Sequence, residues 1–173
     1  MKLSEHWFVV SDFHFGHKML VENDHRPQDY ENLIVSGWNS VVNKHDNVLF
    51  LGDLTFINKE KTRNYCEQLS GRKWMVRGNH DSASDRWYRD CGFSIIEPIY
   101  KEFGKKDEEP YIVLFTHEPV VDLPEGWFNI HGHLHGNDHR GEKPTDRHFD
   151  VSVDAINYVP QRIYKVIENI RIK

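Results

Sequence analysis

Five short clusters of side chains able to bind metal ions run along the chain. They are Asp12-Phe13-His14, Gly52-Asp53, Gly78-Asn79-His80-Asp81, Thr116-His117-Glu118 and Gly132-His133-Leu134-His135. Carboxylate, imidazole and amide donors together suit borderline divalent cations such as Mn, Fe, Zn, Ni or Co better than calcium. A pair of cations needs a carboxylate that both can share, and Asp53, alone at the end of an apolar run, is suited to that. Two ions roughly 3.5–4 Å apart can clamp a water and a phosphoryl oxygen together, which is the chemistry of phosphate-ester hydrolysis. Singly, each cluster is weak: Asp12 could be a loop residue, Asp53 a turn cap, and His133-Leu134-His135 a chance triplet in a chain with 12 His. As a set, each following an apolar run, they make chance a poor explanation.

Those apolar runs are the elements that must position the donors. Trp7 to Val10, Val48 to Leu51 and Trp74 to Val76 read as short strands, apolar throughout as expected when both sheet faces are covered. Between them, Tyr30, Leu33, Ile34, Trp38, Val41 and Val42 recur at helical spacing behind Asp29 as N-cap. Asn58 opens a second helix that stops at Gly71, and Ser84 to Cys91 fits a third, followed by Gly92. Strand–helix–strand spacing in this half implies right-handed parallel crossovers. The second half reads as more antiparallel, with strands at Ser94–Ile96 and Tyr111–Phe115 joined through a charged turn from Lys101 to Glu109. Phe128 to Ile130 leads into His133, the alternation from His148 to Asp154 marks a half-buried strand, and Pro160 opens a last helix. The expected fold is α/β: a β-sandwich of two sheets flanked by helices in α/β/β/α layers. Residues 1–173 would form a single domain, with functional loops beyond the carboxyl ends of the strands.

Composition narrows the function. With 173 residues and 38% hydrophobic content, the chain suits one domain with a sizeable core, and its Trp and Phe read as core positions. A net charge of −5 disfavours a large footprint on long nucleic acid, which leaves a small phosphorylated molecule as the expected partner. Cys66 and Cys91 are too far apart in sequence for a close-spaced metal pair and fit a reducing compartment. No apolar run reaches the length of a membrane span, and the polar start Lys2 to His6 does not suit a signal peptide, so the expected location is the cytoplasm. Oligomeric state is open.

The set Asp12-x-His14, Gly52-Asp53, Gly78-Asn79-His80-Asp81, His117 and Gly132-His133-x-His135 resembles the calcineurin-like metallophosphoesterase superfamily. The flanking stretches Phe13-His14-Phe15-Gly16-His17, His25-Arg26-Pro27 and Ser152-Val153-Asp154-Ala155-Ile156-Asn157-Tyr158 look like its small capless bacterial and phage members. The resemblance implies that Asp12, His14 and His135 bind one metal ion and Asn79, His117 and His133 a second, with Asp53 bridging and Mn the first choice of metal. His80 would be no ligand; it would stabilise the transition state and protonate the leaving oxygen. Asp81, where many relatives carry Glu, would orient His80, and Asn157 and Tyr158 would brace the site from behind.

Other candidates rest on position alone. The loop after the first strand faces the same edge, so His17 and Arg26 could contact the substrate phosphate. His139, Arg140, Arg147 and His148 lie on a long polar loop that could form a mobile wall of the pocket, although a plain solvated loop is the expectation. The expected activity is hydrolysis of a phosphodiester or phosphomonoester. Its rivals are a nuclease for short DNA or RNA and a non-catalytic scaffold of the same fold; seven intact ligands plus His80 argue against the scaffold.

Overall fold

The structure, a computed structural model, describes residues 2–23, 25–104, 110–136 and 145–171, with side chains to residue 169 in the last segment. In chain order the elements are β1 (Phe8–Val10), α1 (Lys18–Glu22), α2 (Tyr30–Val41), β2 (Asn47–Phe50), α3 (Lys59–Cys66), β3 (Arg72–Met75) and α4 (Asp85–Asp90). There follow β4 (Phe93–Ile95), β5 (Ile99–Phe103), β6 (Tyr111–Phe115), β7 (Trp127–His131), β8 (His148–Asp150), β9 (Gln161–Arg162) and α5 (Ile163–Arg171).

Two mixed sheets with flanking helices result, as the α/β reading expects. The first has strand order β4-β3-β2-β1-β9, with β1 to β4 parallel and β9 antiparallel to β1. The second has order β5-β6-β7-β8. Only its β5–β6 pair is antiparallel; β6–β7 and β7–β8 are parallel, so the antiparallel expectation for this half holds for one pairing of three. The long chain between β6 and β7, and again between β7 and β8, is what permits a parallel return.

Strand periodicity explains the apolar runs. Phe8 and Val10 face a core shared with Tyr30, Ile34 and Trp38 of α2, Cys66 of α3 and Tyr88 of α4. Trp7 and Val9 face the opposite core, between the sheets, with Val113, Phe115 and Ile130. Ile163, Val166 and Ile167 of α5 belong to that same inter-sheet core. Both faces of β1 and β2 are therefore buried, which removes the polar alternation seen in one-sided strands.

Several boundaries differ from the sequence reading. Lys101 to Phe103 lie within β5, so the hairpin joins β5 to β6, while Phe93–Ile95 pairs into the other sheet. The remainder of the proposed turn, 105–109, lies outside the described residues. Gln161 and Arg162 pair with β1 before the last helix begins, which delays it past Pro160. Asn58 and Ser84 cap α3 and α4 through their side chains, whereas Asp29 precedes α2 without a side-chain capping bond. Among the described residues, no helix is long and apolar enough to cross a membrane.

Candidate metal centre

Each donor cluster follows the carboxyl end of a parallel strand: Asp12 after β1, Asp53 after β2, Asn79 after β3, His117 after β6 and His133 after β7. Loop-to-loop backbone bonds stitch these ends together. Asp12 N–H donates to Gly52 O at 2.9 Å, His14 N–H to Asp53 O at 3.0 Å, and Gly132 N–H to His117 O at 2.9 Å. Asp12 Oδ2 accepts from His133 N–H at 2.9 Å, tying the first sheet to the second.

Five of the seven donors sit on left-handed backbone. Asp12, His14, Asp53, His133 and His135 all have positive φ, between 49° and 72°, a region that non-glycine residues enter at a cost and that clusters at functional sites. Close approach explains the glycines beside them. A Cβ at Gly132 would lie 2.3 Å from Asp12 Oδ2, and one at Gly78 would lie 2.2 Å from Asp53 Oδ1.

Two donor groups result. In the first, His14 Nε2 lies 3.5 Å from Asp12 Oδ1 and 3.2 Å from His135 Nε2, and His135 Nε2 lies 3.6 Å from Asp12 Oδ1. In the second, Asn79 Oδ1 lies 2.9 Å from His117 Nε2 and 3.0 Å from His133 Nδ1. Asp53 Oδ2 stands between them, 3.5 Å from His14 Nε2 and 3.3 Å from His117 Nε2. Its Oδ1 accepts from His80 N–H at 2.9 Å. All seven expected ligands thus converge, and the sets Asp12, His14, His135 and Asp12, Asp53, His117 each have spacings able to hold a cation.

The donors fit a divalent cation by their chemistry. Asp12 Oδ1 is buried without a hydrogen-bond partner among the described residues, a costly state for a carboxylate oxygen unless a cation meets it. Burial opposes ionisation of Asp12 and Asp53, yet the imidazoles around them hold both carboxyls below the usual carboxylate range: His14, His117 and His135 at Asp12, chiefly His117 at Asp53. Burial outweighs the pull of both carboxylates at His14 and keeps that ring neutral, as a ligand must be. His117 goes the other way: burial disfavours its charge, but the Asp53 hydrogen bond and the Asp12 charge push it up to about 9.

Beyond the ligands the expected positions diverge. His80 is exposed, with its ring 5.6 Å from that of His14 and edge-on to it. His17 is half-buried at the same rim, its ring stacked on Phe56 at 4.1 Å. Arg26 is not available to a substrate phosphate. Its side chain is wholly buried, paired with Asp154 and with the carbonyls of Phe13 and Asp12. Asp81 does not meet the His80 ring either. Its Oδ2 accepts from Asp53 and Gly78 N–H at 2.6 and 2.8 Å, and its Oδ1 from Leu54 N–H at 3.1 Å. His148 is buried rather than solvated: Val120 O lies 2.8 Å from its Nε2, and Thr145 N–H reaches its Nδ1 at 3.1 Å. Arg147 is bound to Leu123 and Pro124 carbonyls, while His139 and Arg140 lie outside the described residues.

Three residues of the site escape the motif reading. Phe56, read as core with the other Phe, is 43% exposed beside His14, His17 and His80. Tyr30 sits on the core face of α2, yet its hydroxyl donates to His14 O at 2.6 Å and accepts from His17 N–H at 3.1 Å. Asp154 contacts His135 and Arg26 from the 152–158 turn, where Asn157 and Tyr158 have positive φ. Its place inside a stretch that resembles family members was the available signal.

Nearly the whole length of the chain is similar to known proteins. The chain is 32% identical to the uncharacterized protein MJ1445 of Methanocaldococcus jannaschii over 177 aligned positions, covering 93% of this chain and 90% of that one. It is 28% identical to the gene 66 protein of Mycobacterium phage L5, covering 97% and 96%. The crystal structure of the Aquifex aeolicus protein AQ665, of unknown function, shares the fold with a TM-score of 0.70 at 24% identity, covering 94% of this chain and 97% of that one. Residues 8–165 match the calcineurin-like phosphoesterase family, from β1 into α5, and the chain belongs to that family.

Proposed function

We propose that the chain is a metal-dependent hydrolase of phosphodiester or phosphomonoester bonds in a small molecule, using two divalent cations, Mn first among them. The observation that carries this reading is Asp53 Oδ2, within 3.5 Å of a ring nitrogen from each donor group. Asp12, His14 and His135 would hold one ion, Asn79, His117 and His133 the other, and Asp53 both. When bound, such a pair lowers the pKa of a water and offsets the charge that builds on the phosphoryl oxygens.

The remaining residues of the chain do the orienting and the proton work. Asp53 Oδ1 holds the His80 backbone, which aims that ring at the rim beside the first donor group. From there a protonated His80 can neutralise a phosphoryl oxygen and give its proton to the leaving oxygen as the P–O bond breaks. Phe56 and His17 form a stacked wall beside it. An open groove of about 400 Å³, lined by Gly16, His17, Tyr30 and Ile57, lies on the far side of His17 from the donor-bearing loops it adjoins in sequence.

Hydrolysis of bis-p-nitrophenyl phosphate by the purified protein with Mn²⁺ tests the reading. Activity should appear with the metal and vanish on chelation. Turnover that survives rigorous metal removal would refute it.

A further inference from the structure

We infer that Arg26 and Asp154 form a positioning pair that fixes which nitrogen of His135 faces the first cation; this rests on the two-cation reading above. The two residues come from distant parts of the chain, the loop before α2 and the turn after β8, and meet in a fork. Arg26 Nε donates to Asp154 Oδ1 at 2.8 Å and Nη2 to Oδ2 at 2.6 Å. The guanidinium is wholly buried, so its charge is tolerable only because its donors are met. Nη1 donates to Phe13 O at 2.7 Å and Nη2 to Asp12 O at 2.8 Å, on either side of the peptide that joins Asp12 to the loop bearing His14.

The same Asp154 Oδ2 lies 2.6 Å from His135 Nδ1. Arg26 Nη2 is also 3.3 Å from that nitrogen, the spacing of two donors that converge on one oxygen. A carboxylate paired with a guanidinium only accepts hydrogen bonds, so Nδ1 carries the ring proton. Nε2 then keeps its lone pair, on the side facing Asp12 Oδ1 and His14 Nε2. One buried arginine thereby sets both the Asp12–Phe13 backbone and, through Asp154, the tautomer and orientation of His135. A carboxylate behind a ligating imidazole also raises its basicity, and losing such a partner typically costs about 10–100-fold in metal affinity.

Titration of the full chain with Mn²⁺, counting bound ions, tests the pairing. The unaltered protein should bind two. Asp154→Asn should weaken one site about 10–100-fold and leave the other unchanged. His135→Ala should weaken the same site, and the double variant should be no weaker than His135→Ala alone, because Asp154 acts through that ring. Two unaltered sites in folded Asp154→Asn, or losses that add in the double variant, would overturn the pairing while leaving the two-cation reading intact. Failure of the unaltered protein to bind Mn²⁺ would remove that reading and the inference with it. Should Asp154→Asn not fold, long-range ¹H–¹⁵N spectra of the unaltered Zn²⁺-loaded protein decide: Nδ1-protonated, Nε2-ligated His135 supports the pairing, and Nδ1 ligation overturns it.

Discussion

Asp81 Oδ2 accepts from the backbone N–H of Asp53 at 2.6 Å, so the carboxylate that follows His80 in sequence serves the opposite turn. With bonds from Gly78 and Leu54 N–H as well, Asp81 gathers three backbone donors around the shared ligand. The site's shape therefore depends on a residue that touches neither of the donor groups with its side chain.

The first expectation concerns that brace. Asp81→Ala leaves three amides without their acceptor, two of them buried with Asp53 and Leu54. At about 1–3 kcal/mol for each unmet buried group, unfolding free energy should fall by roughly 3 kcal/mol in urea denaturation. A variant of native stability that has lost only turnover would instead assign Asp81 to His80.

His80 gives the complementary expectation. Its side chain is exposed and, among the described residues, its ring makes no hydrogen bond that would be lost on truncation, whereas its backbone N–H is what Asp53 holds. His80→Ala should keep metal content and melting temperature and lower turnover by about 10²–10⁴, the usual contribution of a positioned acid or base. Loss of bound metal in step with turnover would make His80 structural.

How much of this was legible in sequence follows from range. Ligands such as Asp12 and His117 are readable because a strand end puts a donor at the sheet edge whatever surrounds it. Arg26, expected at a substrate phosphate, and Asp81, expected at His80, were misplaced for one reason: a charged side chain beside a motif is assigned to its neighbours until distant partners are known. Arg26 finds Asp154 across 128 positions, and Asp81 finds Asp53 across 28. The second sheet was misjudged similarly, since β6 and β7 pair in parallel through a connection whose path their own residues do not encode. The left-handed backbone at Asp12, His14, Asp53, His133 and His135 was also invisible, because Asp and His enter that region only a little more readily than other residues and far less so than glycine.

Phe56 supplies an expectation about substrate choice. A large apolar ring that is 43% exposed beside three histidines invites contact with a planar leaving group. Phe56→Ala should raise KM for an aryl phosphodiester several-fold, since an aromatic pair contributes about 0.5–1.5 kcal/mol beyond area burial. An alkyl phosphodiester should be affected less. Equal effects on both substrates would show that Phe56 only shapes His17 and His80.

His131 ties the site's support to pH. It is fully buried next to Gly132, whose carbonyl lies 2.8 Å from its Nδ1, and its Nε2 has no hydrogen-bond partner among the described residues. Burial pulls its pKa from 6.5 down to about 4. A depressed histidine pKa means that the unfolded chain takes up the proton first as pH falls. The stability associated with the neutral ring is thus fully present above about 6.5 and is lost progressively down to about 4. A shift of this size corresponds to roughly 3 kcal/mol in all. In metal-free protein, His131→Asn should flatten the stability curve in that window relative to the unaltered chain, because its amide nitrogen stands where Nδ1 did and can donate to Gly132 O but does not titrate. Chemical denaturation at several pH values measures the difference; parallel curves for the two proteins would place the acid sensitivity elsewhere.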